Sequence, residues 1–193
     1  LGLSSGLAYR NAIHAPTTEM APLVAAVGKS GGVYTTHLRD EFAGLLEAMD
    51  EAFSTARNGQ VPLVISHLKC AGAGNWGGAG KALGKLESAA QYQHAHCDCY
   101  PYTAGSSTLD LGQVTDEIEI TITWSTTHPE QARRPLKEIA AEWGVSLLDA
   151  AKQLQPAGAV YHNMSETDMQ QVLAHPLSMI GSDGLPNDPH PHP

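Results

Sequence analysis

Short apolar runs alternate with amphipathic stretches through the first hundred residues. The run over 61–70, V-P-L-V-I-S-H-L-K-C, is rich in β-branched residues, closes on His67 and Lys69, and leads into Ala71, Gly72 and Gly74. That pattern predicts a buried strand with its polar groups at the C-terminal mouth. The stretch 33–41, V-Y-T-T-H-L-R-D-E, repeats the design after Gly31 and Gly32, and its His37 precedes His67 by 30 residues, about one β-α repeat. Residues 1–7 predict the end of a further strand with Tyr9 and Arg10 in the loop at its mouth. Residues 94–102 predict another, ended by Pro101, and 177–182 the last, running into Asp183. Between them, Met20, Leu23, Val24 and Val27 mark a helix capped by Thr17 or Thr18. Phe42, Leu45, Leu46, Met49 and Phe53 mark a second over 41–57, closed by Asn58 and Gly59, and Leu83, Leu86 and Ala90 a third. Strand and helix in alternation imply an α/β fold of parallel strands joined by crossover helices.

From 103 to about 176 the rhythm changes. Ile118, Ile120 and Ile122 alternate with Glu119, Thr121 and Thr123 ahead of Trp124, which predicts a half-exposed strand. Helices are expected over 136–143, 147–154 and 166–174, and the pairs Ser146/Asp149 and Ser165/Asp168 have capping-box spacing. The expected organisation is 1–102 as strands and helices of one parallel assembly, 103–176 as an inserted subdomain, and 177–193 as the last strand with the start of its following loop. A (β/α)8 barrel typically needs about 250 residues. A chain of 193 that opens on Leu1-Gly2-Leu3 and stops in P-H-P-H-P is therefore read as a fragment of a longer protein.

Composition narrows the classes. Apolar content of 42% with 16% charged residues is globular, and no run approaches the ~20 apolar residues of a membrane span. A net charge of −9, with only 11 lysines and arginines, argues against a nucleic-acid partner. Three unevenly spaced cysteines are no disulfide framework, which makes the cytoplasm the default location.

The chemistry gathers at the strand mouths. Two imidazoles, His37 and His67, and one carboxylate, Asp183, at such mouths suggest a metal-assisted hydrolase, and neutral imidazole suits zinc. Asp183, between Ser182 and Gly184, fits a turn cap and a general acid/base equally well. Lys69 offers a positive group to an anionic substrate. Arg39, Asp40 and Glu41 read as a loop-to-helix junction with its acids at the helix N-terminus. The glycines of 71–80 match no phosphate cradle, since Lys81 is followed by Ala82, and this stretch with Trp76 reads as a mobile substrate loop. His94 and His96 would face away from Cys97 and Cys99 on a strand, so these four cannot converge on one ion. His190 and His192 alternate with proline, which predicts an extended, exposed segment.

Taken together, Y-T-T-H-L-R-D-E, V-I-S-H-L-K-C-A-G, D-C-Y-P-Y-T-A-G-S-S, L-Q-P-A-G-A and M-I-G-S-D-G-L-P-N-D resemble, in order, the D-aminoacylases, the N-acyl-D-amino-acid deacylases of the amidohydrolase superfamily. The resemblance implies an α/β fold, the C-terminal portion of a zinc-dependent TIM (β/α)8 amidohydrolase barrel. The chain would hold about strands four to eight, with a small subdomain inserted before the last. It implies zinc held by His37 and His67 together with a cysteine on an earlier strand that this sequence lacks; Cys70, Cys97 and Cys99 do not inherit that role. It further implies Asp183 as the catalytic residue and Tyr9, Lys69, Tyr100 and Ser106 as substrate contacts, with a family arginine falling just beyond residues 191–193. The implied reaction is hydrolysis of the amide bond of an N-acyl-D-amino acid, a small-molecule substrate. The alternatives are a related enzyme acting on cyclic amides in the manner of dihydropyrimidinase, and a truncated metal-binding fragment without activity.

Overall fold

The computed structural model describes residues 1–184; His190, His192 and the rest of the expected final loop lie outside the described residues. In chain order the elements are β1 (Gly2–Gly6), α1 (Thr17–Lys29), β2 (Val33–His37), α2 (Leu45–Asn58), β3 (Leu63–Ile65), α3 (Ala79–Ala90) and β4 (Ala95–Cys99). There follow β5 (Gly105–Thr108), β6 (Ile120–Ser125), α4 (Leu136–Trp143), α5 (Leu147–Leu154), β7 (Ala157–Tyr161), α6 (Glu166–Leu173) and β8 (Ser178–Ile180). These form two compact units, Leu1–Pro101 with Ser165–Asp183, and Tyr102–Met164 with Gly184.

In the first unit five strands pair in the order β1-β2-β3-β4-β8, every pair parallel. The expected α/β class is therefore borne out. The core lies between this sheet and its helices: Tyr34, Leu63, Ile65 and Cys97 from the strands meet Met49, Ala52 and Phe53 of α2 and Leu86 of α3. Leu45, Met49, Ala52, Phe53 and Ala56 recur at helical spacing and are all buried, and each large apolar side chain removed from water contributes roughly 1.5–3 kcal/mol. Gly28, near the end of α1, is set by close approach to the end of α2, because a Cβ there would lie 2.1 Å from the Gly59 carbonyl oxygen.

Several elements are shorter than the sequence predicts, and two of them have a local cause. The helix expected from residue 41 begins only at Leu45. Asp40 Oδ1 accepts the Phe42 N–H at 2.6 Å, and this local bond favours a turn over helix, so Glu41 stays outside α2. The strand expected over 61–70 is Leu63–Ile65, because the chain reverses at His67, whose φ is +40°. Such a conformation costs a non-glycine residue about 1–2 kcal/mol. Asp98 of β4 offsets it from both ends: its Oδ1 accepts the His67 N–H at 2.6 Å and its carbonyl accepts the Leu68 N–H at 2.8 Å.

Asp168 of α6 is buried, and its carboxylate accepts the N–H groups of Gly77 at 2.7 Å and Ala79 at 3.2 Å. It thereby caps the N-terminus of α3 from another helix. The glycine-rich stretch between Lys69 and α3 is thus fastened at its far end, and Asn75 Nδ2 also donates to Ala71 O at 2.7 Å within it.

The second unit is an antiparallel sheet in the order β5-β7-β6 with its own core of Ile122, Leu136, Ile139, Leu154 and Ala159. Ser146 caps α5 by accepting the Asp149 N–H, as its spacing predicts. β5 and β7 are not evident from the sequence pattern. All five residues of β7 are buried, so Ala157-Gly158-Ala159-Val160-Tyr161 shows no in-out alternation. Gly158 admits no side chain, since a Cβ would lie 2.2 Å from Trp124 Nε1, beside a register shift in β6 between Ile122 and Trp124. Met164 N–H donates to Thr103 O at 3.1 Å, so the chain enters and leaves this unit at adjacent points.

Candidate metal centre

The parallel sheet sets its chemistry at one edge. His37 is the last residue of β2, His67 follows β3 by two residues, Tyr100 follows β4, Asp183 follows β8 and Tyr9 lies in the loop after β1. All five stand at the C-terminal ends of parallel strands, where α/β folds present their reactive groups. The His37 and His67 rings meet edge to face with centroids 4.5 Å apart; the Tyr9 ring is 5.1 Å from that of His37, and the Tyr100 ring 6.3 Å from that of His67.

Glu41 organises the middle of the site. Its Oε1 lies 2.9 Å from His67 Nδ1 and accepts from Lys69 Nζ at 2.6 Å, while its Oε2 is 3.6 Å from His37 Nε2. Lys69 Nζ also lies 2.8 Å from His67 Nδ1 and 5.5 Å from the centre of the Tyr100 ring. Burial by itself would raise the Glu41 carboxyl; the Lys69 ammonium, followed by the His67 hydrogen bond, outweighs it and holds the group ionised, below the usual carboxylate range. His37 moves the other way. Burial lowers its imidazole to about 4 against the pull of the Glu41 charge, so it is neutral at neutral pH, the form that binds metal. The phenols of Tyr9 and Tyr100 are raised first by burial; for Tyr9 the Asp183 charge and then Glu41 add to this, for Tyr100 Glu41 and then Asp183. Both phenols stay protonated, as donors.

Among the described residues one group of His, Cys, Asp or Glu could hold a metal ion: His37, Glu41 and His67, whose ligand atoms lie within 4.8 Å of one another. The donor set fits zinc, two imidazoles and a carboxylate. His37 Nδ1 is in addition buried with no hydrogen-bond partner among the described residues, as expected for an atom whose partner is not an amino acid. Cys70, Cys97 and Cys99 are buried free thiols, raised to about 11 chiefly by burial, and none joins this group. His94 is exposed and His96 half-buried at the start of β4.

Of the residues singled out from the sequence, Tyr9, His37, His67, Lys69 and Tyr100 gather around Glu41, and Asp183 acts electrostatically on three of them. Ser106 stands half-buried on β5, in the second unit. Glu41 is the participant that sequence reasoning misses. Its signal is the spacing H-x-x-x-E from His37, masked because a carboxylate before an apolar stripe reads first as the opening of a helix.

No protein-family model matches the chain. Over 193 residues, all of this chain, it is 42% identical to the D-aminoacylase of Alcaligenes xylosoxydans xylosoxydans, and over 195 residues 40% identical to the N-acyl-D-glutamate deacylase of the same organism. It spans 40% of the length of each. A crystal structure of D-aminoacylase, described as defining a novel subset of amidohydrolases, superposes with a TM-score of 0.92 at 44% identity, covering 99% of this chain and 40% of that one. The N-acyl-D-glutamate deacylase of Bordetella bronchiseptica, solved with zinc and a phosphonate mimic of the reaction's tetrahedral intermediate, does so with a TM-score of 0.92 at 37% identity, covering 98% and 40%. Over all 193 residues, then, this chain is similar to the D-aminoacylases and N-acyl-D-amino-acid deacylases, of whose length it spans about two fifths.

Proposed function

We propose that the protein hydrolyses the amide bond of N-acyl-D-amino acids, releasing a carboxylate and a D-amino acid. The observation that carries this reading is the pairing of a His37–Glu41–His67 metal-binding group with an adjacent ammonium, Lys69, in a homologue of D-aminoacylase. We place the five parallel strands as strands four to eight of a (β/α)8 barrel, with residues of the second unit as the subdomain inserted before the last strand.

His37 and His67 would hold zinc, with Glu41 beside them. A zinc ion in this position supplies Lewis acidity that polarises the acyl carbonyl and acidifies water. Asp183 takes the proton of the attacking water and returns it to the departing amine nitrogen. Lys69 has three donors, of which Glu41 engages one, and another serves the α-carboxylate of the substrate beside Tyr100. Tyr9, beside His37, contacts the substrate across the centre. Fixing carboxylate, carbonyl and side chain at once distinguishes D from L. The substrate is small, and a net charge of −9 suits no nucleic-acid partner. No helix among the described residues is long and apolar enough to cross a membrane, and three free thiols are in keeping with a cytoplasmic location.

The test is release of free amine from N-acetyl-D-methionine and N-acetyl-L-methionine by the complete protein, with and without added zinc. Zinc-dependent release from the D form alone is expected, and release from neither form would overturn the reading. In the same assay Asp183→Asn should abolish turnover while retaining zinc; retained turnover would remove Asp183 from the chemistry.

A further inference from the structure

Arg39 stands two residues beyond His37, and its donors are divided between two elements. Nε donates to Glu51 Oε2 and Nη2 to Glu51 Oε1, each at 2.8 Å, a two-pronged pair with α2. The others reach backbone carbonyls of the loop after β1: Nη1 donates to Ile13 O at 2.6 Å and Ala12 O at 3.4 Å, and Nη2 to Ala15 O at 2.9 Å. Glu51 Oε1 also accepts Thr17 Oγ1 at 2.8 Å, which ties the start of α1 to the same carboxylate.

That loop carries Tyr9. The Tyr9 carbonyl accepts the N–H groups of both Ala12 and Ile13 at 2.8 Å, so the residues that Arg39 fastens are the ones that fix the Tyr9 backbone. Tyr9, Arg10, Asn11, Ile13 and His14 are exposed, and beyond the buried Leu7 at its start the loop adds no residue to the hydrophobic core. Packing therefore does not hold it, and a rigid planar fork of donors does. Its carbonyls would otherwise exchange with water, and the Tyr9 ring would lose its fixed place 5.1 Å from His37.

We propose that Arg39 is a positioning residue for Tyr9: by locking the loop carbonyls to Glu51 it holds the Tyr9 phenol at the substrate side of the metal centre. This rests on the reading of Tyr9 as a substrate contact. The test is a double-mutant cycle in the complete, zinc-loaded protein with N-acetyl-D-methionine. Arg39→Met is expected to lower kcat/KM about tenfold or more with zinc content unchanged, and to cost less than about twofold when Tyr9 is already Phe. Arg39→Lys should fall between, since an ammonium reaches carbonyls but cannot form the fork. An equal loss from Arg39→Met in the wild-type and Tyr9→Phe backgrounds would overturn the proposal, because a general structural defect would ignore Tyr9. Glu51→Gln keeps the arginine while loosening its anchor; where Arg39→Met does not fold, it replaces that variant and must show the same dependence on Tyr9. Hydrogen exchange at the Ala12 and Ile13 amides separates this from the proposed activity: unchanged protection in the Arg39 or Glu51 variant overturns the positioning role even in a protein that cleaves no N-acyl-D-amino acid, whereas lost protection there would leave the loop anchor standing and count against the activity alone.

Discussion

A carboxylate enclosed by an ammonium and two imidazoles is ionised by its neighbours, and an imidazole enclosed by protein is kept neutral by the want of water; Glu41 and His37 are the two cases side by side. Their proton affinities set a pH dependence with a definite sign. His37 titrates at about 4 in the folded protein against 6.5 ordinarily. In the zinc-free protein the unfolded chain binds a proton below 6.5 that the folded one refuses, so stability is full above that value and declines as pH falls to about 4, by up to about 3 kcal/mol. Glu41, also depressed, adds a loss in the same direction below its ordinary 4.5. The urea midpoint should thus be level above pH 7 and fall through pH 6 and 5; a midpoint that stays level to pH 5 would contradict a buried neutral His37. The imidazoles were legible in the sequence because each closes an apolar run. Asp98 was not: its task is to accept a backbone N–H from a residue 31 positions earlier, which no local pattern records.

At the scale of elements, the alternation of strand and helix was legible wherever an element has one wet face, as in α2, and illegible where it has none, as in β7. The N-terminus of α3 belongs to the same lesson. Glycines precede it, no side chain of its own caps it, and the capping carboxylate arrives from α6. Asp168→Ala leaves two N–H groups without their charged acceptor and is expected to destabilise the protein by about 2 kcal/mol. Urea denaturation measures this directly, and hydrogen exchange should accelerate at Gly77 and Ala79 in particular. A midpoint equal to that of the wild type would show that the cap carries no weight.

At the scale of the molecule, two hydrophobic cores and, among the described residues, one metal-binding group mean that metal at that group acts on one of the units. His37 and His67 belong to neighbouring strand ends, so an ion bound to both ties β2 to β3 and stabilises the native state by an amount that grows with the logarithm of free metal, about 2.7 kcal/mol at a hundredfold excess over Kd. Added zinc should slow exchange of the β2 and β3 amides and leave those of β5, β6 and β7 unchanged; slowing of both sets alike would contradict a centre confined to the parallel sheet. The antiparallel unit has a property of its own, which follows from the bond that Met164 N–H donates to Thr103 O. A segment whose two ends meet closes on itself before it joins anything else, so its replacement by a longer or shorter counterpart asks for no change in strand register elsewhere. In the language of construction it is a cassette: its length can be altered at its neck without moving the strands that present His37 and His67.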